Sequence, residues 1–343
     1  MKKYTLALMK LTIFLLPLIT ISCHRQPLED EYYEHVKVPV SINWTKSDLT
    51  PQNVTVLFYN ETDGKLALEH RFENNPNEIQ SYADVPYGKY TVVVFNELRD
   101  QIDYVGVRGY ETLNTLEFYA KTDSEIKKVK SSTSTSTATT YVKEPDIVAI
   151  SVVRGFEVKA NTNTTPRQLI GLTPERKVGY MDITIHIKGL NNARMPALVD
   201  LRNIAGSYFV DTDKNSTTPV ACQFMMNNRT YDPESSTDGT ISTKVKVFGV
   251  LGNRNTVADQ PTGQPIALDI SLMLVDADKT IINHVVDITD MLTFTGEVNG
   301  SISLETELPI PDPLPDVKPE GGDSGFGSDL TDWGIIDVPL VSH

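Results

Sequence analysis

Short segments in which apolar and polar residues alternate run through most of the chain. A period of two predicts β-strands with one buried face. The segment 90–95 is apolar on both faces, which is typical of a central strand. Further strands are predicted at 54–59, 65–72, 113–119 and 146–158, and no segment has a helical period. The first predicted strand places these apolar residues on one face: Val36, Val38, Val40, Ile42 and Trp44.

A second series of strands begins after residues 161–177, which we interpret as an interdomain linker because the interval carries Thr and Pro residues. In the segment 180–187, apolar residues alternate with polar ones such as His186, which we expect to face solvent. Two sets of short strands predict an all-β protein with two β-sandwich domains in tandem, at 36–160 and 178–310. The later predicted strands are 197–210, 221–226, 241–250, 266–275, 281–288 and 302–310.

Two segments lack the composition of a folded core. Residues 131–140 are Ser, Thr and Ala only, which predicts a mobile surface loop or, alternatively, a site of processing or glycosylation. Residues 311–343 form a tail in which a spacer rich in Pro, Gly and Asp precedes an apolar end. We expect this end to mediate assembly as an exchanged strand, and packing on its own domain stays open. The candidate strand-exchange residues are Trp333, Ile335, Ile336, Val338 and Leu340.

The first 22 residues have the features of a bacterial lipoprotein signal peptide. Lys2 and Lys3 precede an apolar run, and Ser22 stands directly before Cys23, as in a lipobox. We therefore predict lipidation of Cys23, with residues 23–35 as a tether and the protein held at a membrane by lipid. An acidic segment at 29–31 resembles the export tags of surface lipoproteins. The alternative is an ordinary signal peptide with an incidental cysteine.

Charge and cysteine content exclude several classes of protein. The chain of 343 residues carries 31 basic and 45 acidic residues, a net charge of −14. This argues against nucleic-acid binding, which needs a basic face to meet phosphates. Two cysteines are too few for a disulfide framework or a structural zinc site. We expect no cofactor and no metal.

A search for catalytic motifs gives no positive support for an enzyme. The six histidines form no HExxH motif, and neither a nucleophile elbow nor a phosphate-binding loop occurs. Cys222 is interpreted as a buried structural thiol because no base can be assigned to it. The string Asp211, Asp213, Asn215 resembles the start of a calcium loop, but its later positions do not fit, which favours an ordinary polar hairpin.

Several stretches resemble the fimbrillin-like lipoprotein superfamily of Bacteroidales. They are the strand Val85-Pro-Tyr-Gly-Lys-Tyr-Thr-Val-Val-Val-Phe-Asn96, the stretch Val247-Phe-Gly-Val-Leu-Gly252, and Val286-Asp-Ile-Thr-Asp-Met-Leu292. The resemblance implies two transthyretin-like sandwiches and a role as an anchor or accessory subunit of type V pili. It also implies other pilus subunits as partners, together with the membrane through the lipid anchor.

In the stalk subunits of such families, an Arg- or Lys-specific protease removes the lipid and the first strand, and a neighbour's strand fills the groove. The resemblance therefore draws attention to Arg154, Arg167, Arg176 and Lys177, although none stands in a defined cleavage motif. Anchor and accessory roles stay open, and a stalk role is less favoured. The competing hypothesis is a glycan-binding surface lipoprotein, for which the stacking candidates are Tyr104, Tyr110, Tyr119 and Trp333.

Overall fold

The computed structural model describes residues 35–73, 82–122, 139–160, 168–253, 256–261, 263–294, 302–306 and 313–319. In these ranges the chain is built of strands, and three 3-10 turns lie at Leu113–Thr115, Leu190–Asn192 and Thr289–Met291. The predicted all-β fold class is confirmed. No helix among the described residues is long and apolar enough to span a membrane.

In chain order the strands are β1 (His35–Ile42), β2 (Val54–Asn60), β3 (Leu66–Phe72), β4 (Tyr82–Pro86), β5 (Gly88–Asn96), β6 (Val105–Arg108), β7 (Glu117–Ala120), β8 (Tyr141–Val142), β9 (Ala149–Val158), β10 (Ile170–Leu172), β11 (Glu175–Arg176), β12 (Gly179–Ile187), β13 (Ala197–Ala205), β14 (Ser207–Phe209), β15 (Lys214–Asn215), β16 (Pro219–Met226), β17 (Asn228–Tyr231), β18 (Gly239–Val247), β19 (Ala267–Met273), β20 (Ile281–Asp287), β21 (Thr293–Phe294) and β22 (Ile302–Thr306).

The N-terminal sandwich packs a three-stranded sheet, in the order β10-β1-β4, against a five-stranded sheet, in the order β11-β9-β5-β2-β3. The alternation predicted for β1 is confirmed, since its apolar face is buried in the core between the sheets. This core includes Val36, Val38, Val40, Ile42, Trp44, Val56, Phe58, Phe72, Val92, Val94, Ile170 and Leu172.

The C-terminal sandwich consists of two five-stranded sheets, in the orders β17-β18-β12-β22-β21 and β20-β19-β13-β16-β8. The alternation in β12 is confirmed: its apolar residues are buried, and His186 is exposed as predicted. The second of these sheets takes its edge strand β8 from the first half of the chain, because β8 pairs with β16 in parallel. The core between the sheets includes Met181, Ile183, Ile185, Val199, Leu201, Ile241, Leu268 and Ile270.

A third layer joins the two sandwiches. A four-stranded sheet, in the order β15-β14-β7-β6, combines two strands from each half of the chain. It covers the second face of the N-terminal five-stranded sheet, which explains why β5 is apolar on both faces. Val92 and Val94 belong to the N-terminal core, whereas Val93 and Phe95 belong to a cluster that continues into the C-terminal sandwich.

The predicted linker at 161–177 is partly wrong. Ile170 lies opposite Val40, so that β10 extends the first sheet, and Arg176 lies opposite Ala149. Residues 168–177 are therefore part of the N-terminal sandwich, because strand pairing satisfies their backbone groups. Residues 161–167 lie outside the described residues, as do 131–138 of the predicted loop. The Thr140 carbonyl, at the end of that loop, accepts a hydrogen bond from the Ala221 backbone N–H at 2.9 Å.

Candidate functional site

The residues predicted to carry lipidation and strand exchange lie outside the described part of the chain. The structure therefore leaves these predictions untested. Arg167 lies outside as well. The residues concerned are Cys23, Trp333, Ile335, Ile336, Val338 and Leu340.

The first strand, β1, lies between β10 and β4 in the three-stranded sheet. Residues 35–39 of β1 pair with β4 in antiparallel fashion, and residues 40–42 pair with β10 in parallel. The Asn43 backbone N–H donates to the Leu172 carbonyl at 2.8 Å, which fixes the end of the strand. Without β1, the sheet would keep two separated strands flanking an apolar groove. Chemically, such a groove can accept an extended strand with alternating apolar residues.

The connection after β1 contains a single basic residue, Lys46, among residues 43–53. Lys46 lies in a turn, and its side chain is 53% exposed. Its Nζ lies 2.8 Å from Oε1 of Glu175, which is also about half exposed. A pair this exposed adds little stability. Sequence reasoning missed Lys46, although its position directly after the first predicted strand is the signal that identifies it.

The basic residues that the sequence suggested for cleavage are integrated into the fold. Arg154 lies in β9 and donates to the Asp211 carboxylate at 3.0 Å. Arg176 lies in β11, and its Nε donates to the Ser47 carbonyl at 2.5 Å. Lys177 is buried, with its Nζ 2.9 Å from the Asp213 carboxylate. A protease binds an extended segment, so cleavage at these sites requires the sheet to open first.

The calcium-like string forms a polar hairpin, as the sequence analysis favoured. Tyr208 in β14 lies opposite Asn215 in β15. Asp213 accepts a hydrogen bond from the Tyr208 hydroxyl at 2.7 Å. Asn215 is buried, and its amide donates to the carbonyls of Phe248 and Val250, both at 2.9 Å. These side chains point to different partners, and no three metal-ligating groups converge anywhere among the described residues.

A polar cleft of about 490 Å³ lies where this hairpin meets the N-terminal sandwich. Asp211 and Asp213 line one wall, and Arg154, Glu175 and Lys177 line the other. The ion pairs Arg154–Asp211 and Lys177–Asp213 cross the cleft. The cleft is therefore lined by opposite charges that pair between the hairpin and the N-terminal sandwich.

The tyrosines suggested for glycan stacking have cations against their rings. The Arg99 guanidinium lies 3.7 Å from the Tyr110 ring centroid, and Arg108 lies 4.7 Å from that of Tyr119. Lys143 Nζ lies 5.2 Å from the Tyr104 centroid. Each contact is a cation–π interaction that covers one face of the ring. Trp333 lies outside the described residues.

The Cys222 thiol, a group that could carry chemistry, has a structural role. Cys222 is buried in β16, and burial raises the pKa of its thiol to about 12, so it is protonated at neutral pH. Its interpretation as a buried structural thiol is confirmed.

Asp200 and Asp269 lie opposite each other on β13 and β19, a juxtaposition that the sequence did not reveal. Asp200 accepts hydrogen bonds from the Tyr141 hydroxyl and the Gln223 amide, both at 2.7 Å. Asp269 pairs with Arg202, and burial raises the pKa of its carboxyl. Both carboxylates are therefore paired with hydrogen-bond donors from neighbouring side chains.

The chain resembles several solved structures. The fold of a candidate adhesin from Bacteroides ovatus matches with a TM-score of 0.54 and 18% sequence identity, covering 88% of this chain and 99% of that chain. The fimbrial anchor protein Mfa2 from Porphyromonas gingivalis gives a TM-score of 0.45 and 11% identity, covering 78% of this chain and 89% of that one. The match to the Bacteroides ovatus protein supports the all-β fold of this chain.

No curated protein matches the chain. A family model does match, over residues 22–225, and its description is "Domain of unknown function (DUF5119)". The match covers more than half of the 343 residues, from the predicted signal peptide's last residue to β16. The chain therefore belongs to the DUF5119 family.

Proposed function

We propose that this protein is a non-enzymatic subunit of an adhesive surface fibre, held at the outer membrane by lipid on Cys23 and joined to its neighbours by β-strand addition. The observation that carries the proposal is the fold match to the candidate adhesin from Bacteroides ovatus, which spans 99% of that chain. Because a fold alone does not determine function, the details of the role are argued from the residues around β1.

Within such a fibre, we assign the chain to an anchor or accessory position in which β1 is retained. The apolar face of β1 places Val38 and Val40 in the core with almost no exposed surface. Burial of each large apolar side chain contributes about 1.5–3 kcal/mol. Loss of β1 therefore removes several such contributions at once, so the subunit is stable only while β1 or an equivalent strand fills the groove.

Three basic residues suggested for cleavage are poorly placed to release β1. Arg154, Arg176 and Lys177 lie in or directly beside strands and are held by oxygen partners. Cleavage at any of them also lies far beyond β1, after most of the N-terminal sandwich. Lys46 is the one basic residue at which a cut would release β1 alone. A retained β1 joins the lipid at Cys23 directly to the folded body, as an anchor requires.

A glycan-binding role receives less support from the described residues. Sugar rings stack on open aromatic faces, whereas the rings of Tyr104, Tyr110 and Tyr119 each carry a cation.

The proposal is tested by isolating the native protein from outer membranes after chemical cross-linking of intact cells. We expect fibre subunits in the cross-linked product and an intact mass that begins with diacylated or triacylated Cys23. A chain that begins at Ser47 contradicts the anchor assignment, because β1 has then been removed. A lipidated chain that cross-links to no other subunit, yet is retained on a glycan array, contradicts the fibre role in favour of glycan binding.

A further inference from the structure

The edge strand β20 differs from the other sheet edges. It is seven residues long, and its exposed face carries Ile281 at 41% exposure and Val285 at 63%. The edge strand β3 has the same length, but Glu69 and Arg71 form ion pairs on it. The other edge strands have two to five residues. A seven-residue edge with two exposed aliphatic side chains and neither Lys nor Pro is a site at which a further strand can pair.

The alternation of hydrogen bonds between β19 and β20 shows which backbone groups of β20 face outward. The Leu274 N–H donates to the Thr280 carbonyl at 2.8 Å, and the Ile288 N–H donates to the Ile266 carbonyl at 2.9 Å. Antiparallel pairing alternates, so the backbone groups of the even-numbered residues 282, 284 and 286 point towards β19. Those of residues 281, 283, 285 and 287 point away, and no other described strand pairs with them.

The chain itself leads to the beginning of this edge. Leu314 is buried, and its N–H donates to the Lys188 carbonyl at 2.8 Å. The Asn192 amide donates to the Asp316 carboxylate at 3.2 Å. Pro319 then forms a bridge with Asp276, which lies in the turn between β19 and β20. The last 24 residues, 320–343, therefore start beside the end of β20 that is nearest to this turn.

The length of the tail matches the distance to be covered. The 13 residues 320–332 extend up to about 45 Å, whereas a seven-residue strand is about 24 Å long. The apolar segment 333–341 can thus reach β20 and run along it in either direction. A short tether raises the effective concentration of the segment at β20 to the millimolar range, which favours pairing within one chain over pairing between chains.

We propose that residues 333–341 pair with the outward edge of β20 in the same chain. Ile336, Val338 and Leu340 then share one face and extend the apolar surface beside β20. Pro339 has no N–H, and it is tolerated only at an outward-facing position of an edge strand. The tail therefore becomes the new edge of this sheet, and Pro339 leaves one position of that edge without a backbone donor.

Disulfide trapping in the full mature chain carrying Cys23→Ala tests the proposal. Val285→Cys is combined with a cysteine at one of five tail positions in turn, and the protein is oxidised at low micromolar concentration. Val285 projects on the outer face, so a cross-link forms with tail residues of one parity. The matched control replaces Leu169, 54% exposed in the N-terminal sandwich, by cysteine. The tail positions are Ile335, Ile336, Asp337, Val338 and Leu340.

We expect an intramolecular cross-link with Val285→Cys whose yield does not change on tenfold dilution, and at least tenfold less with Leu169→Cys. Dimers as the main product overturn the proposal, and so does equal yield at both positions. Hydrogen exchange provides a second readout. The amides of Asn283 and Val285 should exchange at least tenfold faster when residues 320–343 are deleted, and unchanged exchange overturns the proposal.

Discussion

Phe118 and Tyr208 lie directly opposite each other in β7 and β14, although they come from different halves of the chain. Both side chains are buried, and Phe118 packs edge to face against Phe95 with 5.0 Å between the ring centroids. This pair places one continuous core between the N-terminal five-stranded sheet and the C-terminal sandwich. The two halves therefore share packing energy, and the ion pairs across the polar cleft reinforce the junction.

The shared core predicts that a mutation at the junction destabilises both halves. Phe118→Ala should lower the free energy of unfolding by about 3–5 kcal/mol, because it removes a fully buried ring and leaves a cavity. Calorimetry should show one cooperative transition in the wild type and in the variant, at a lower temperature in the variant. As a control, Tyr87→Ala changes a ring that is 40% exposed and should have a small effect. Two separate transitions in the wild type would show that the halves unfold independently.

Cys23 should carry the lipid. Cells that express Cys23→Ala and are fed a labelled fatty acid should give unlabelled protein, which no longer partitions into the membrane fraction. The matched control is Cys222→Ala, because that thiol is buried and protonated at neutral pH. The control protein should keep its label. Label that persists in Cys23→Ala disproves the lipoprotein assignment.

Limited digestion with trypsin should distinguish Lys46 from the basic residues held in the sheets. Lys46 lies in an exposed turn, whereas Arg154, Arg176 and Lys177 are paired in or beside strands. We expect a cut after Lys46 well before any cut at the other three, since those require local unfolding. Lys46→Gln should abolish the early cut without changing the others. Earlier cleavage at Arg154 would contradict the described packing of β9.

The stability of the protein should depend on pH through Glu97. Burial raises the pKa of this carboxyl, and the Asn53 side chain offsets the effect only in part. The folded state then holds the proton more tightly than the unfolded state, so stability falls as the pH rises from the usual carboxyl range through the raised pKa. The stability of Glu97→Gln relative to the wild type should therefore be greater at pH 7 than at pH 4, and urea unfolding at both pH values measures the difference.

Asp238 provides a control of opposite sign. The Gly189 backbone N–H donates to its carboxylate at 2.8 Å and lowers its pKa. The folded state therefore favours the charged form, and this contribution is lost as the pH falls through the lowered pKa. Asp238→Asn should cost more stability at pH 7 than at pH 3. Urea unfolding of both variants over this range checks the two signs, and parallel profiles would contradict the assignment.

Local patterns predicted the strands, and long-range pairing decided how they are arranged. The alternation from Val36 to Ile42 identified β1, because one buried face leaves a period of two in the sequence. The pairing of β7 with β14, and of β8 with β16, leaves no such local signal. The Thr and Pro content of residues 168–177 predicts a linker, yet β1 and β9 supply partners for their backbone groups.

The candidate sites were predictable to different degrees. Cys222 could be interpreted correctly, since an apolar neighbourhood without a base predicts a buried thiol. The free edge of β20 could not be predicted, because the sequence of this strand alternates like that of any other strand. Only the sheet order shows that no other described strand pairs with the outward edge of β20. Lys46 was overlooked because its exposure depends on the turn that follows β1.

The most direct test of the proposed anchor role is where the fibres are found when the lipid is removed. Cells that produce Cys23→Ala in place of the wild-type chain should release assembled fibres into the medium, because the subunit still joins its neighbours but no longer holds them to the membrane. Electron microscopy and immunoblotting of the cell and medium fractions measure this directly, with Cys222→Ala as the control. Fibres that stay on the cells in normal number and length would contradict the anchor role.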